Sequence, residues 1–374
     1  MRLVIVNLTR SSMSGGYQKY LRELLPRLSR HPGLSELAVF VHPKFLDQTQ
    51  SWVPGIPCWP CEDSWHDRLL LRKALALLNP DLIFFPTLRG FDFGDTPSLY
   101  MIHNMEPLAI PVGGNSYQET LKNLARKYAA RTACRRASRI LAVSRFVKDF
   151  LVNTWQISPR KIGVVYHGSD DLLTNYNSKK PKVIPSDWEG GFLFTAGSIR
   201  PSRGLDDIVK ALAELKTNGR ALPLVIAGTA DSSSHTYERR LKRLIEKLGV
   251  QDRVIWTGHL TAEEMLWCYS RASLFIMTSR VEACPMIALE AMSSGSGCIA
   301  ADNQPLPEFF KEAALYYRTG DSQSLAGTIS FFQNSSQSFQ RELRRRSRAR
   351  AADFTWDRTA DETVKQLQLT FGAK

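Results

Sequence analysis

The chain has 374 residues, 43% of them hydrophobic and 23% charged, with a formal net charge of +13 at neutral pH. That length is more than one core usually serves, so two domains are expected, and the composition is that of a soluble globular protein rather than a disordered one. No apolar run reaches membrane-spanning length, and Met1-Arg2 leads straight into a strand pattern rather than a signal peptide. A cytoplasmic protein is therefore expected, with its positive charge directed at nucleic acid, a membrane or an anionic substrate.

Residues 2–8 read as a buried strand, and Ser14-Gly15-Gly16 leads into an amphipathic pattern from Tyr17 to Leu28. Strand, glycine turn and helix offer amides to an anion, with Gly16 permitting close approach; a turn needing positive φ explains the same glycines. A full dinucleotide fingerprint is missing, which argues against an oxidoreductase. Further strands are expected at 37–41, 81–85, 98–102, 139–143 and 162–165, and helices at 66–78, 117–137 and 145–154. This alternation predicts a doubly wound parallel sheet. Cys58-Trp-Pro-Cys61 falls in a Pro-rich loop, which suits neither a redox motif nor a metal site without further ligands; free thiols are expected. His103 follows the strand S-L-Y-M-I at the edge where such sheets bind ligands, and an imidazole there suits proton handling, although a lone His also serves structure. Ser144 reads as the N-cap of the helix that follows it.

Residues 171–190, polar and broken by Pro181, Pro185 and Gly190-Gly191, form a linker, dividing the chain into domains 1–180 and 181–354. The second domain opens with F-L-F-T-A-G-S-I-R-P-S-R-G-L-D-D-I: a strand at 192–196, a loop from Gly197 with Ser198, Arg200 and Arg203, and a helix from Gly204. Strands at 223–228 and 253–260 and helices at 235–248 and 261–269 continue the alternation. The strand Leu274–Met277, the turn Thr278–Arg280, Glu282 and a helical pattern from Pro285 to Met292 complete another βαβ unit, ending at Gly295.

With Pro285 as first helical residue, the amides of Met286 and Ile287 stay unpaired and face outward, an anion site at a helix N-terminus. Glu282 and Glu290 would repel a phosphate, so their acceptors suit sugar hydroxyls. Phosphate flanked by hydroxyls describes a sugar nucleotide. From the residues alone, Glu282 as a helix cap and Glu290 as a solvated helix residue stay open. The basic runs R-E-L-R-R-R-S-R-A-R and Lys122, Arg126, Lys127, Arg131, Arg135 and Arg136 read as solvated faces or as contacts to an anionic membrane surface. Nucleic acid is the weaker partner, since no recognition motif accompanies the charge.

The stretch E-A-C-P-M-I-A-L-E resembles the signature of family 4 retaining glycosyltransferases, in which two Glu flank seven residues ahead of an L-E-A-M-like helix. A-V-S-R-F-V-K-D, V-V-Y-H-G-S-D and F-T-W-D-R-T-A-D-E-T-V-K-Q-L resemble further stretches of that family. The resemblance implies the α/β GT-B architecture, two Rossmann-like domains facing across a cleft, with 355–374 crossing back onto the first. It implies a nucleotide-sugar donor held by Gly16, Gly197, Ser198, Arg203, Glu282, Cys284, Pro285, Met286, Ile287 and Glu290. Arg203, Glu282 and His103 would act in transfer to a glycan or lipid-linked acceptor, with no cofactor or metal. The family's Arg after the first glycine is Ser198 here, its Lys is Arg203, and Asn104 stands where Asp is frequent; Arg200 is a candidate substitute for the missing Arg. A sugar-nucleotide epimerase of the same architecture, or a non-catalytic polyanion-binding protein, are the alternatives.

Overall fold

The computed structural model describes residues 1–9, 15–89, 94–109, 117–169, 176–219, 221–232 and 234–372. Ser14, Asp170 and the first residues of the expected linker lie outside them. The chain divides into two compact units, one of Met1–Ala109, Leu121–Gly168 and Thr355–Lys374, the other of Ile110–Thr120 and Ser169–Phe354.

The first unit holds seven parallel strands, β1 (Arg2–Asn7), β2 (Glu36–Val41), β3 (Cys58–Pro60), β4 (Leu82–Phe85), β5 (Ser98–Ile102), β6 (Arg139–Ala142) and β7 (Ile162–Val164), in the order 3-2-1-4-5-6-7. Segments such as Leu-Val-Ile-Val in β1 and Leu-Ile-Phe-Phe in β4 are apolar on both faces because helices cover both sides of a parallel sheet. Gly15 and Gly16 open the helix Gly15–Ser29 with helical backbone rather than a positive-φ turn, and a Cβ on Gly15 would meet open space. Ser144 caps the helix Arg145–Asn153 by accepting from the Val147 amide at 3.2 Å. The chain returns to this unit through the helix Trp356–Phe371. There Thr359 donates to the Tyr166 carbonyl at 2.9 Å, and Arg139 donates to Gln366 at 2.7 Å.

One local expectation is corrected. Cys58 to Pro60 form edge strand β3 beside β2 rather than a loop. Its neighbours supply the ladder, Pro57 accepting from Val39 at 2.9 Å and Cys61 donating to Val41 at 2.8 Å. Pro60 lacks an N–H and so suits only an edge position. Burial, and secondarily the nearby carboxylates Asp67, Asp63 and Glu62, push the Cys61 thiol up to about 12, so it stays protonated. All six cysteines are free.

The second unit holds β8 (Leu193–Ala196), β9 (Leu224–Ala227), β10 (Val254–Gly258), β11 (Leu274–Met277), β12 (Cys298–Ala301) and β13 (Leu315–Tyr317), all parallel, in the order 10-9-8-11-12-13. Strand order reverses between β1 and β4 in one sheet and between β8 and β11 in the other. At such a switch point, loops leaving the carboxyl ends of neighbouring strands diverge and open a ligand crevice. Leu193 pairs with Leu274 and Phe194 with Phe275, so the loops after β8 and β11 emerge side by side. Among the described residues no helix is long and apolar enough to cross a membrane.

Candidate active site

The two loops at the β8/β11 switch are stapled by their backbones. The Arg280 amide donates to the Ser202 carbonyl at 2.7 Å, and the Thr278 hydroxyl to the Arg203 carbonyl at 2.7 Å. An ion pair to a buried carboxylate reinforces them: half-buried Arg280 grips Asp207 with both terminal nitrogens, one at 2.6 Å. Asp207, 1% exposed, also accepts from the Tyr317 hydroxyl at 2.9 Å and the Gly320 amide at 3.1 Å. Held by four donors, a buried carboxylate becomes a rigid anchor rather than a reactive group.

On this frame the Arg203 guanidinium meets Ser279 at 3.2 Å and forms an ion pair with Glu282. Gly197 makes room for it: a Cβ on Gly197 would lie 3.2–3.3 Å from the guanidinium, and its φ of +117° favours glycine. The cation and carboxylate singled out from the sequence thus touch, a charge-assisted contact that fixes both side chains.

The start of the next helix departs from expectation. Pro285, at φ −80° and ψ 80°, sits at the centre of an inverse γ-turn, and the helix begins at Met286. The Met286 amide is therefore folded back onto the Cys284 carbonyl at 3.0 Å instead of facing outward unpaired. Ala288 and Leu289 donate to Pro285. Among the described residues the Ile287 amide has no acceptor, so one of the two expected amides remains open to an anion. Glu290, on the second turn, accepts from the Tyr269 hydroxyl at 3.3 Å. Burial, and secondarily Glu290 itself, raise the Tyr269 pKa well above its ordinary value, keeping the phenol a donor.

His103, at the end of β5, belongs to a different group. Its Nδ1 lies 3.0 Å from Nε2 of His167, and the rings stack within an aromatic shell of Tyr20 and Trp356. Burial, then His167, hold the His103 pKa well below the ordinary value, against a smaller opposing pull from the Pro86 carbonyl; burial lowers His167 to about 3. Both rings are neutral at physiological pH. Asn104 has a local role, accepting from the Glu106 amide at 2.9 Å.

A family model for group 1 glycosyl transferases matches residues 175–353, and one for glycosyltransferase family 4 matches residues 14–171. This chain belongs to the family 4 glycosyltransferases. The O-antigen chain mannosyltransferase RfbU of Salmonella typhimurium is 21% identical, over 87% of this chain and 90% of its own length. Mannosylfructose-phosphate synthase of Agrobacterium fabrum is 27% identical over 42% of this chain and 36% of its own. The chain spans less than half the length of several curated relatives that it matches. The crystal structure of Anabaena Alr3699/HepE in complex with UDP superposes with a TM-score of 0.75 at 20% identity, covering 98% of this chain and 100% of that one. That likeness, together with the two strand orders, gives the GT-B fold.

In this family 4 chain Ser198 is exposed and Arg200 points to Asp231, with 3.4 Å between Nη2 and Oδ2. The structure therefore brings Arg203, Glu282 and Ser279 together but places Arg200 in a separate, loose ion pair. His167, Tyr269 and the Arg280–Asp207 pair are site features that sequence reasoning did not mark. Each lay in a stretch that sequence reasoning covered, yet only spatial neighbours reveal its use.

Proposed function

We propose that the protein is a retaining, metal-independent glycosyltransferase. It would move a hexose such as mannose, glucose or N-acetylglucosamine from a nucleoside diphosphate sugar to a glycan or lipid-linked acceptor in cell-surface polysaccharide synthesis. The observation that carries this reading is the meeting of Arg203, Ser279 and Glu282 at the β8/β11 switch, in the loops that lead into the helix with the open Ile287 amide. Departure of a nucleoside diphosphate concentrates negative charge, and a fixed guanidinium with a backbone amide stabilises it without reorganisation. Glu282 accepts hydroxyls of the transferred sugar, Glu290 holds the ribose diol, and the leaving oxygen takes the acceptor's proton. Gly16 and His103 of the first unit serve the reacting sugar and acceptor. The names of relatives support the chemistry, since RfbU is a mannosyltransferase and the Anabaena protein was solved with UDP.

The test is thermal stability in EDTA against UDP, GDP, ADP and dTDP and their sugars. A selective rise with one nucleotide and its sugar supports a metal-free donor site and names the base. No rise with any of them, together with no transfer to glycan acceptors, overturns the reading. Turnover of a nucleotide sugar without acceptor would instead mark an epimerase.

Peripheral attachment to an anionic membrane surface is part of the same proposal. On the helix Tyr117–Arg136, exposed Leu124, Tyr128 and Arg135 recur at helical spacing on one face, a combination suited to a lipid headgroup layer. Failure to co-float with anionic vesicles at low salt would remove that element.

A further inference from the structure

The helix Gln337–Ala351 carries Arg341, Arg344, Arg345 and Arg348 at spacings of three, four and seven, on one face. That face and Ser270 border a cavity of about 320 Å³ at the C-terminal end of the helix Met286–Ser293, with no carboxylate in its lining. Arginines commonly gather at helix ends to serve terminal carbonyls. Arg344 does so, donating to Ser273 at 2.9 Å and more loosely to Ala272. Arg345 is held by Glu342 at 2.7 Å, a carboxylate it shares with Arg346.

Arg341 and Arg348 have no such use. The Met292 and Ala291 carbonyls at the end of Met286–Ser293 are already taken by a Schellman cap: Gly295 donates to Met292 at 2.9 Å and Ser296 to Ala291 at 3.0 Å. The Ser293 and Ser294 hydroxyls each donate to the Glu290 backbone carbonyl at 2.9 Å. Among the described residues neither Arg341 nor Arg348 has an acceptor. Gly295 nevertheless leaves space for Arg348, because a Cβ there would lie 2.3 Å from its Nε. Guanidiniums crowded around one cavity repel each other, and in the same sense as burial, Arg348 helps to lower the pKa of Arg344. The arrangement suits an anion that accepts from several forks at once, the geometry of a phosphate group.

We propose that this cavity binds a phosphate-bearing ligand, at the opposite end of Met286–Ser293 from the Ile287 amide and the Arg203 grip. A soluble phosphate compound and an anionic lipid headgroup share that chemistry. The experiment replaces chloride by inorganic phosphate at fixed ionic strength and follows the melting temperature of wild type, Arg203→Gln and Arg341→Gln/Arg348→Gln. A rise of roughly 3 °C per tenfold excess over the dissociation constant is expected in wild type and Arg203→Gln and is lost in the double variant. Equal rises in all three, or loss in Arg203→Gln alone, overturn the site. Should phosphate cause no rise, flotation with phosphatidic acid vesicles against phosphatidylcholine decides: capture that depends on Arg341 and Arg348 assigns the ligand to lipid, and no such capture overturns the proposal. Both replaced side chains are exposed, and single Arg341→Gln serves if the double variant does not fold. Because the Arg203→Gln arm separates this cavity from the donor site, failure of one reading leaves the other standing.

Discussion

His103 Nδ1 and His167 Nε2 lie 3.0 Å apart, so one ring donates, the other accepts, and a single proton fixes both tautomers. Both imidazoles are neutral in the fold and charge readily when unfolded, so the unfolded chain takes up more protons as the medium acidifies. Stability is therefore full above the ordinary histidine value of 6.5 and falls as pH drops from there toward the folded value of His167, about 3.

Between pH 6.5 and 5, above the range of most carboxylates, each histidine should remove about 1.5 kcal/mol. Urea unfolding of wild type and His167→Gln at the two pH values measures this, and the variant should lose roughly half of the pH dependence. An unchanged dependence would show that the pair does not titrate as described.

Replacing Arg203 by Ala should lower kcat by about 10²–10³-fold with a smaller change in KM, since the guanidinium is proposed to act on charge that develops during departure of the leaving group. Steady-state kinetics with the donor identified by the nucleotide panel measures it. Wild-type turnover would remove Arg203 from the reaction.

Glu290→Ala should act chiefly on donor binding, raising KM by about 10- to 100-fold, the worth of a charge-assisted hydrogen bond. Tyr269→Phe, which removes the 3.3 Å donor to Glu290, should give a smaller change in the same direction. Titration calorimetry with the nucleoside diphosphate separates the two, and a larger effect for Tyr269→Phe would reverse their order.

Arg280→Ala should destabilise the second unit by about 3–5 kcal/mol, because Asp207 would be left buried and charged. The double variant Arg280→Met/Asp207→Leu should recover a large part of that loss, and calorimetry of both resolves the coupling. Equal destabilisation by single and double variants would locate the cost in lost packing instead.

The fold was legible where elements are long or fully apolar. Leu274–Met277 and the amphipathic pattern from Tyr17 declare themselves because burial on both faces of a sheet, or on one face of a helix, leaves a periodic trace. Length alone does not decide legibility, since β7 has three residues and was expected; β3 was hidden because Pro57 and Pro60 make its surroundings read as a loop. At the site, Arg203, Glu282 and Glu290 were readable as residue types in two loops and a helix. The Met286 amide was misread because the N-terminal boundary of a helix depends on one dihedral angle, here ψ of Pro285, which composition does not encode. His167 was invisible as a partner because its distance from His103 is set by β5 and β7 lying two strands apart.

The contact between Arg203 and Glu282 also bears on turnover. Within the ion pair each charge is neutralised by the other. A bare phosphate taking Arg203 would strand Glu282 in a partly covered position, whereas a nucleoside diphosphate sugar offers an anion to one and hydroxyls to the other. Once the sugar has been passed on, Glu282 again lacks a partner and competes with the remaining diphosphate for the guanidinium. Within the proposed reaction, the ion pair that welcomes the whole donor would therefore also hasten the departure of the spent one.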